Sequence, residues 1–110
     1  MAITDFAMDL FSLKGRNAIV TGGNTGLGQA FSLALATAGA NVFVPSIADD
    51  DGTTRQLIEA AGAEYQFVTA DLTAEGAPAE IVDACVERFG SLDILVNSAG
   101  ICLLDEVLDF

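Results

Sequence analysis

The chain has 110 residues, 52% hydrophobic and 18% charged, with sixteen Asp and Glu against four Lys and Arg and a formal charge of −12. That length holds one small domain and excludes a self-sufficient multidomain enzyme, while the apolar content excludes a disordered chain. Four basic residues cannot neutralise several phosphates of DNA or RNA, so nucleic acid is not an expected partner.

Residues 1–13 read as an N-terminal lead-in. They lack a basic start followed by an apolar run, and no stretch approaches the roughly 18 apolar residues of a spanning helix, so no leader and no membrane partner are expected and the cytoplasm is the expected setting. Arg16–Gly22, RNAIVTG, reads as a short buried strand followed by a turn. Gly26–Ala38 follows as a helix with Leu27, Phe31, Leu35 and Ala38 at helical spacing, while Ala30 and Ala34 permit close approach to a sheet. Gly39 supplies the stop.

Asn41–Pro45 is a second strand, with Pro45 expected at its end because it lacks an N–H for the ladder. The run Asp49-Asp50-Asp51 reads as a solvated turn and not a metal site, since no His or thiol cluster accompanies it. Thr53–Ala61 is a short helix closed by Gly62, and Tyr65–Ala70 a third strand. Pro78 suits a first helical turn, after which Ile81, Val82, Cys85, Val86 and Phe89 form an apolar face ending at Gly90. Leu92–Asn97 is the fourth strand, and residues 101–110 begin another element, with a helix expected from Leu103. Cys85 and Cys102 stand without a CxxC or any histidine, so both read as structural thiols.

Strands alternating with helices over short connections predict an α/β fold, a Rossmann-like parallel sheet with helices on both faces and strand order 3-2-1-4. The informative segment is Thr21-Gly22-Gly23-Asn24-Thr25-Gly26-Leu27-Gly28, between the first strand and the first helix. Small residues there let backbone approach a diphosphate, and the helix start offers unsatisfied N–H groups. The spacing GxxxGxG differs from the commonest dinucleotide fingerprint, GxGxxG, and a purely structural glycine turn is the plainer reading of the motif alone.

With Asp71-Leu72 after the third strand and Asn97-Ser98-Ala99-Gly100 after the fourth, the chain resembles the short-chain dehydrogenase/reductase family, whose pattern is TGxxxGxG, an acidic–apolar pair and NNAG. Ser98 departs from the second Asn of that last pattern. The resemblance implies that Gly22, Gly26 and Gly28, with Thr25, shape the diphosphate loop, that Leu27 covers the nicotinamide side, and that Asn24 approaches the adenosine ribose. It implies that Asp71 accepts from the adenine amino group beside Leu72, and that Asn97, Ala99 and Gly100 line the cofactor trough. The plainer readings are a turn cap for Asp71 and a strand-end hydrogen bond for Asn97, and either can coexist with binding.

Counting along the family pattern brings Ser46 and Ile47 to the position that discriminates NAD from NADP, with Asp49 as second choice. No basic residue stands there except the more distant Arg55, and the Asp49–Asp51 run opposes a further phosphate, so NAD is favoured with NADP left open. Phe11–Gly15 and Thr25–Gln29 look like family members that oxidise gluconate or 2-dehydro-3-deoxy-gluconate. A hydride transfer to or from a secondary alcohol, a ketone or a sugar acid is therefore expected.

The family's proton transfer uses a Ser and a YxxxK pair. Neither pair nor partner is present here: Tyr65 is the sole tyrosine, lies in the third strand and is followed by no lysine four positions on, so it reads as a packing residue. Asn97 supplies cofactor-side support only. Residues 14–110 accordingly read as an incomplete dinucleotide-binding domain, the N-terminal piece of a roughly twice-longer enzyme that forms a homodimer or homotetramer and whose chemistry this segment cannot complete alone. The alternatives are a non-catalytic nucleotide-binding or regulatory module, which binds without turnover, and a structural α/β fragment whose glycine loop binds nothing.

Overall fold

A computed structural model describes residues 10–99. Gly100, Cys102 and the element expected from residue 101 lie outside them. The elements are β1 (Asn17–Thr21), α1 (Gly26–Thr37), β2 (Asn41–Ser46), α2 (Thr53–Ala60), β3 (Tyr65–Thr69), α3 (Ala77–Phe89) and β4 (Ile94–Asn97). All pairings are parallel and the order is β3-β2-β1-β4, as the alternating pattern predicts.

Apolar residues occupy both faces of the two middle strands because helices cover both faces. On one side Val20, Val42 and Val44 pack with Ala36 and Leu35 of α1 and Ile58 of α2. On the other, Ile19 and Phe43 meet Ala77, Ile81 and Cys85 of α3, and Phe43 meets Phe89 edge-on at 6.3 Å. Each of the buried Val, Ile and Phe side chains contributes about 1.5–3 kcal/mol.

The buried row of α1 differs from the expected one. Gly28, Ser32 and Ala36 face inward, whereas Ala30 and Ala34 are exposed, Leu27 is 69% exposed and Phe31 38%. Backbone proximity, not side-chain volume, fixes this phase. The Ser32 hydroxyl donates to the Gly23 carbonyl at 2.8 Å and to the Gly28 carbonyl at 3.0 Å, which holds the helix start against the preceding turn.

Pro45 also departs from expectation: β2 runs through it to Ser46, inside a strand flanked on both sides. Its carbonyl accepts from Gly22 N at 2.9 Å, so its nitrogen points to the same side, toward β1. In a parallel ladder that nitrogen would serve the Val20 carbonyl. That carbonyl instead accepts from Gly23 N at 3.1 Å, so the missing donor leaves no acceptor bare.

At the opposite edge of the sheet, side-chain amides link the strand entries. Asn17 Nδ2 donates to Ser91 Oγ at 2.8 Å, Asn41 Nδ2 donates to Asn17 Oδ1 at 3.0 Å, and Asn41 Oδ1 accepts from Glu64 N at 3.0 Å. Asp93 stands beside this row and precedes β4, which starts at Ile94 and not at Leu92 as expected. Its Oδ2 accepts from Asn17 N at 2.9 Å and from Ser91 Oγ at 3.1 Å. The Asn17 amide, then Ser91 and Arg16, hold the Asp93 carboxyl below its ordinary range.

A carboxyl whose pKa is depressed by folding contributes stability above its unfolded value, and loses that contribution as pH falls through the folded value. Asp93→Asn is therefore expected to be less stable than the parent at pH 7, with the gap closing as pH drops below about 4. Urea midpoints measured from pH 6 to pH 3 check this. A gap that does not change with pH would refute the assignment.

Candidate functional site

The carboxyl ends of the strands converge on a cleft of about 540 Å³. Its floor begins at Gly22, where β1 leaves the sheet with φ +62°, a conformation glycine adopts without a Cβ penalty. A Cβ at Gly22 would also stand 3.1 Å from Ala99 Cα. Gly28 needs glycine for space alone: a Cβ there would collide with the Gly22 carbonyl and lie 2.7 Å from Ser98 Oγ. The start of α1 is thereby seated directly on the turn. Its Thr25 cap makes no side-chain hydrogen bond to the first-turn N–H groups, and these are donors for a negative ligand.

Thr21 joins the β1 and β4 ends. Its Oγ1 accepts from Ser98 N at 2.9 Å and from Ala99 N at 3.0 Å, while the Ser98 hydroxyl donates to the Thr21 carbonyl. Ser98, the departure from the family pattern, is thus a short side chain bonded across the strand ends.

Ten of the expected residues line the cleft together: Gly22, Thr25, Gly26, Leu27, Gly28, Ser46, Ile47, Asp71, Leu72 and Ala99. Pro45, Ala48, Ala70, Thr73 and Ser98 line it as well, unanticipated. Thr73 was readable from Asp71-x-Thr73, a local turn signal; the others simply flank expected positions. Asn97 pairs with Thr21 at the strand end, is exposed and lies outside the lining, as does Asn24, which is buried behind the wall. The expected Gly100 falls outside the described residues.

Asp71 is the one ionisable residue among those lining the cleft. Its Oδ1 accepts from the Thr73 hydroxyl at 2.6 Å and from Thr73 N at 2.9 Å. The hydroxyl first, then the amide, hold its carboxyl below the usual range, so it is an ionised acceptor at neutral pH. Tyr65 is remote from such chemistry: it is buried in β3, and its hydroxyl donates to Asp50 Oδ2 at 3.2 Å. Burial and then the Asp50 charge push its pKa up. Among the described residues no cluster of three or more His, Cys, Asp or Glu could hold a metal, and no helix is long and apolar enough to cross a membrane.

The sequence pattern of the short chain dehydrogenase family matches residues 16–110. The chain belongs to this family. It is 61% identical over 109 residues to the uncharacterized oxidoreductase YgcW of Escherichia coli (strain K12), an alignment covering 99% of this chain and 42% of YgcW. It is 41% identical over 104 residues to the 2-dehydro-3-deoxy-D-gluconate 5-dehydrogenase of the same organism, covering 94% of this chain and 40% of that enzyme. A short-chain type dehydrogenase/reductase from Mycobacterium marinum superposes with a TM-score of 0.82 at 33% identity, covering 94% of this chain and 41% of that one. The chain thus spans about two-fifths of the length of these relatives. Short-chain dehydrogenases bind NAD or NADP, and the similar structures include one complex with each.

The cleft suits such a dinucleotide. The crowded approach of Gly28 to Gly22 leaves no room for a Cβ, and the uncapped helix start beside it offers N–H groups to a diphosphate.

Proposed function

We propose that the protein is an NAD-dependent oxidoreductase that transfers a hydride to or from a secondary alcohol or ketone, with a sugar acid as substrate. The observation that carries this reading is the glycine turn packed against α1 at the floor of a cleft walled by Ser46, Ile47, Asp71 and Leu72. In it, residues 14–110 are the cofactor-binding part of the domain. Gly22, Thr25, Gly26 and Gly28 seat the diphosphate, Leu27 covers the nicotinamide side, and the Asp71 carboxylate accepts from the adenine amino group beside Leu72. Ala99 lies under the trough, next to Asn97 at the end of β4. The bound cofactor supplies the hydride chemistry. Proton transfer at the substrate oxygen belongs to a Ser and a Tyr–Lys pair of the full-length protein outside residues 1–110.

The choice of a sugar acid is supported by the likeness to 2-dehydro-3-deoxy-D-gluconate 5-dehydrogenases, at 41% identity for those of Escherichia coli and Bacillus subtilis. A cytoplasmic homodimer or homotetramer is the proposed form, in which Cys85 is an inert thiol whose burial raises its pKa.

Charge around the loop after β2 supports NAD over NADP. That loop carries Asp49, Asp50 and Asp51, and the nearest cation in sequence, Arg55, is engaged elsewhere. Its guanidinium donates to the Tyr65 carbonyl at 3.3 Å, pairs with Glu59 at 3.4 Å and lies 5.0 Å from the Tyr65 ring centre. A ribose phosphate would meet carboxylates with no opposing cation, at about 1 kcal/mol per pair 4 Å apart in water and more where water is excluded.

Titration of the full-length protein is expected to give a Kd for NAD at least tenfold below that for NADP, and tighter NADP binding would reverse the preference. Assays with 2-keto and 2-hydroxy sugar acids test the chemistry. Dinucleotide binding without hydride transfer to any of them, or to simple secondary alcohols, would reduce the protein to a binding module.

A further inference from the structure

We infer that Asn24 and Thr54 are positioning residues: they clasp the loop after β2 to the glycine turn and so set how tightly the adenosine half of a dinucleotide is held. The inference rests on the dinucleotide reading above and goes beyond it, because neither side chain lines the cleft.

Asn24 stands within the glycine turn yet is only 7% exposed. Its Nδ2 donates to the Asp49 carbonyl at 3.2 Å and to the Ala48 carbonyl at 3.4 Å. Its own backbone carbonyl accepts from the hydroxyl of Thr54, a residue of α2 that is 1% exposed, at 3.3 Å. Thr54 Oγ1 in turn accepts from Gln29 Nε2, on α1, at 2.9 Å. One connected set of hydrogen bonds therefore joins the diphosphate turn, the loop that follows Ser46 and Ile47, and the first turns of two helices.

At its far end the loop is tied by Asp51 Oδ1, which accepts from Thr53 N at 2.9 Å. Ala48 N donates to Ser46 Oγ at 3.1 Å and Asp50 is bonded to Tyr65, but the carbonyls of Ala48 and Asp49 both face Asn24. The orientation of the Asn24 amide is not free either. Its Oδ1 is buried with no hydrogen-bond partner, and exchanging it with Nδ2 would set oxygen against two carbonyl oxygens. The amide thus spends its donors on the loop, which is what a clasp requires.

A wall that is ordered before the ligand arrives does not have to be ordered by it. Releasing the clasp should therefore weaken ligands that carry adenosine and spare those that lack it.

The test uses the full-length protein and two probes, NAD and reduced nicotinamide mononucleotide, which has no adenosine. Asn24→Ala and Thr54→Val are each expected to raise the Kd of NAD about tenfold while that of the mononucleotide stays within twofold. Thr54→Ser, which keeps the hydroxyl, is expected to return NAD binding to within threefold of the parent. Asn24→Asp should be worse than Asn24→Ala, because a carboxylate oxygen then faces the two carbonyls. Thr54→Val conserves volume and serves as the readout if Asn24→Ala does not fold.

Equal NAD binding by the folded variants and the parent would overturn the clasp alone. A parallel loss of mononucleotide binding would also overturn it, by showing general damage. A parent protein that binds no dinucleotide would instead overturn the underlying reading, and the clasp with it.

Discussion

Gly28→Ala is expected to weaken NAD binding by the full-length protein at least a hundredfold while lowering stability by no more than about 2 kcal/mol. Nothing about the backbone forbids alanine at this position, where φ is not positive. The obstacle is what the new methyl would meet: the Gly22 carbonyl, and Ser98 Oγ at 2.7 Å. Neither can withdraw. Gly22 N is bonded to the Pro45 carbonyl, Ala99 is packed against Gly22, and Ser98 is bonded to Thr21. The start of α1 must move instead, taking its N–H groups away from the diphosphate seat, and a displacement of about 1 Å at such a site costs on the order of a hundredfold. Overpacking costs about 1–3 kcal/mol, offset by about 1 kcal/mol of helix propensity gained by alanine over glycine.

Gly26→Ala is the informative contrast. Gly26 has φ +53°, but a Cβ there meets nothing within 4 Å, so its cost is backbone strain of about 1–2 kcal/mol with no collision. Calorimetric titration should rank Gly28→Ala far below Gly26→Ala in affinity. The reverse ranking would remove close packing as the basis of the site.

Thr21→Val should be the more damaging change to folding. Valine copies the shape of threonine, so packing is preserved, but Ser98 N and Ala99 N lose their acceptor together. Both bonds are part-buried, at about 0.5–1.5 kcal/mol each, and a net loss of about 1–3 kcal/mol is expected in urea unfolding. Thr21→Ser keeps the acceptor and should recover most of it. A loss below about 1 kcal/mol for Thr21→Val would mean that water or the chain itself re-satisfies both amides. Because these bonds also hold Ala99 beside Gly22, weaker NAD binding should accompany the instability.

Strand order, helix sequence and most of the cleft were legible from the chain alone, for a local reason. Val20, Val42 and Val44 lie in short apolar runs between turn residues, and right-handed crossovers leave few ways to arrange such runs. The glycine turn, Asp71-Leu72 and Ser98-Ala99 come within two residues of the ends of β1, β3 and β4, so their convergence at the carboxyl end of the sheet follows from the parallel topology. The phase of α1 was not legible. Leu27 and Phe31 supply the larger apolar signal, but the inward row is chosen by how closely backbone can approach backbone, and Ser32 gives no hydropathic hint of it. Asn24 was expected to approach the adenosine ribose, and its hold on the loop after β2 was missed for a related reason: its partners are carbonyls twenty-four and twenty-five positions away, and nothing in a local pattern announces which amide will reach them. The row from Ser91 through Asn17 and Asn41 to Glu64 is invisible to periodicity in the same way.

Pro45 turns an apparent defect into a rule of competition. Any other residue at that place would bring a second N–H to the Val20 carbonyl, in contest with Gly23 for the same acceptor. Were the strand to win, the ladder would gain a rung and the chain after β1 would be drawn straight, carrying Gly22 and Gly23 out of the bend on which α1 rests. A residue on one strand, by withholding a single hydrogen, thus leaves the end of its neighbour free to curl. The cleft exists at that boundary.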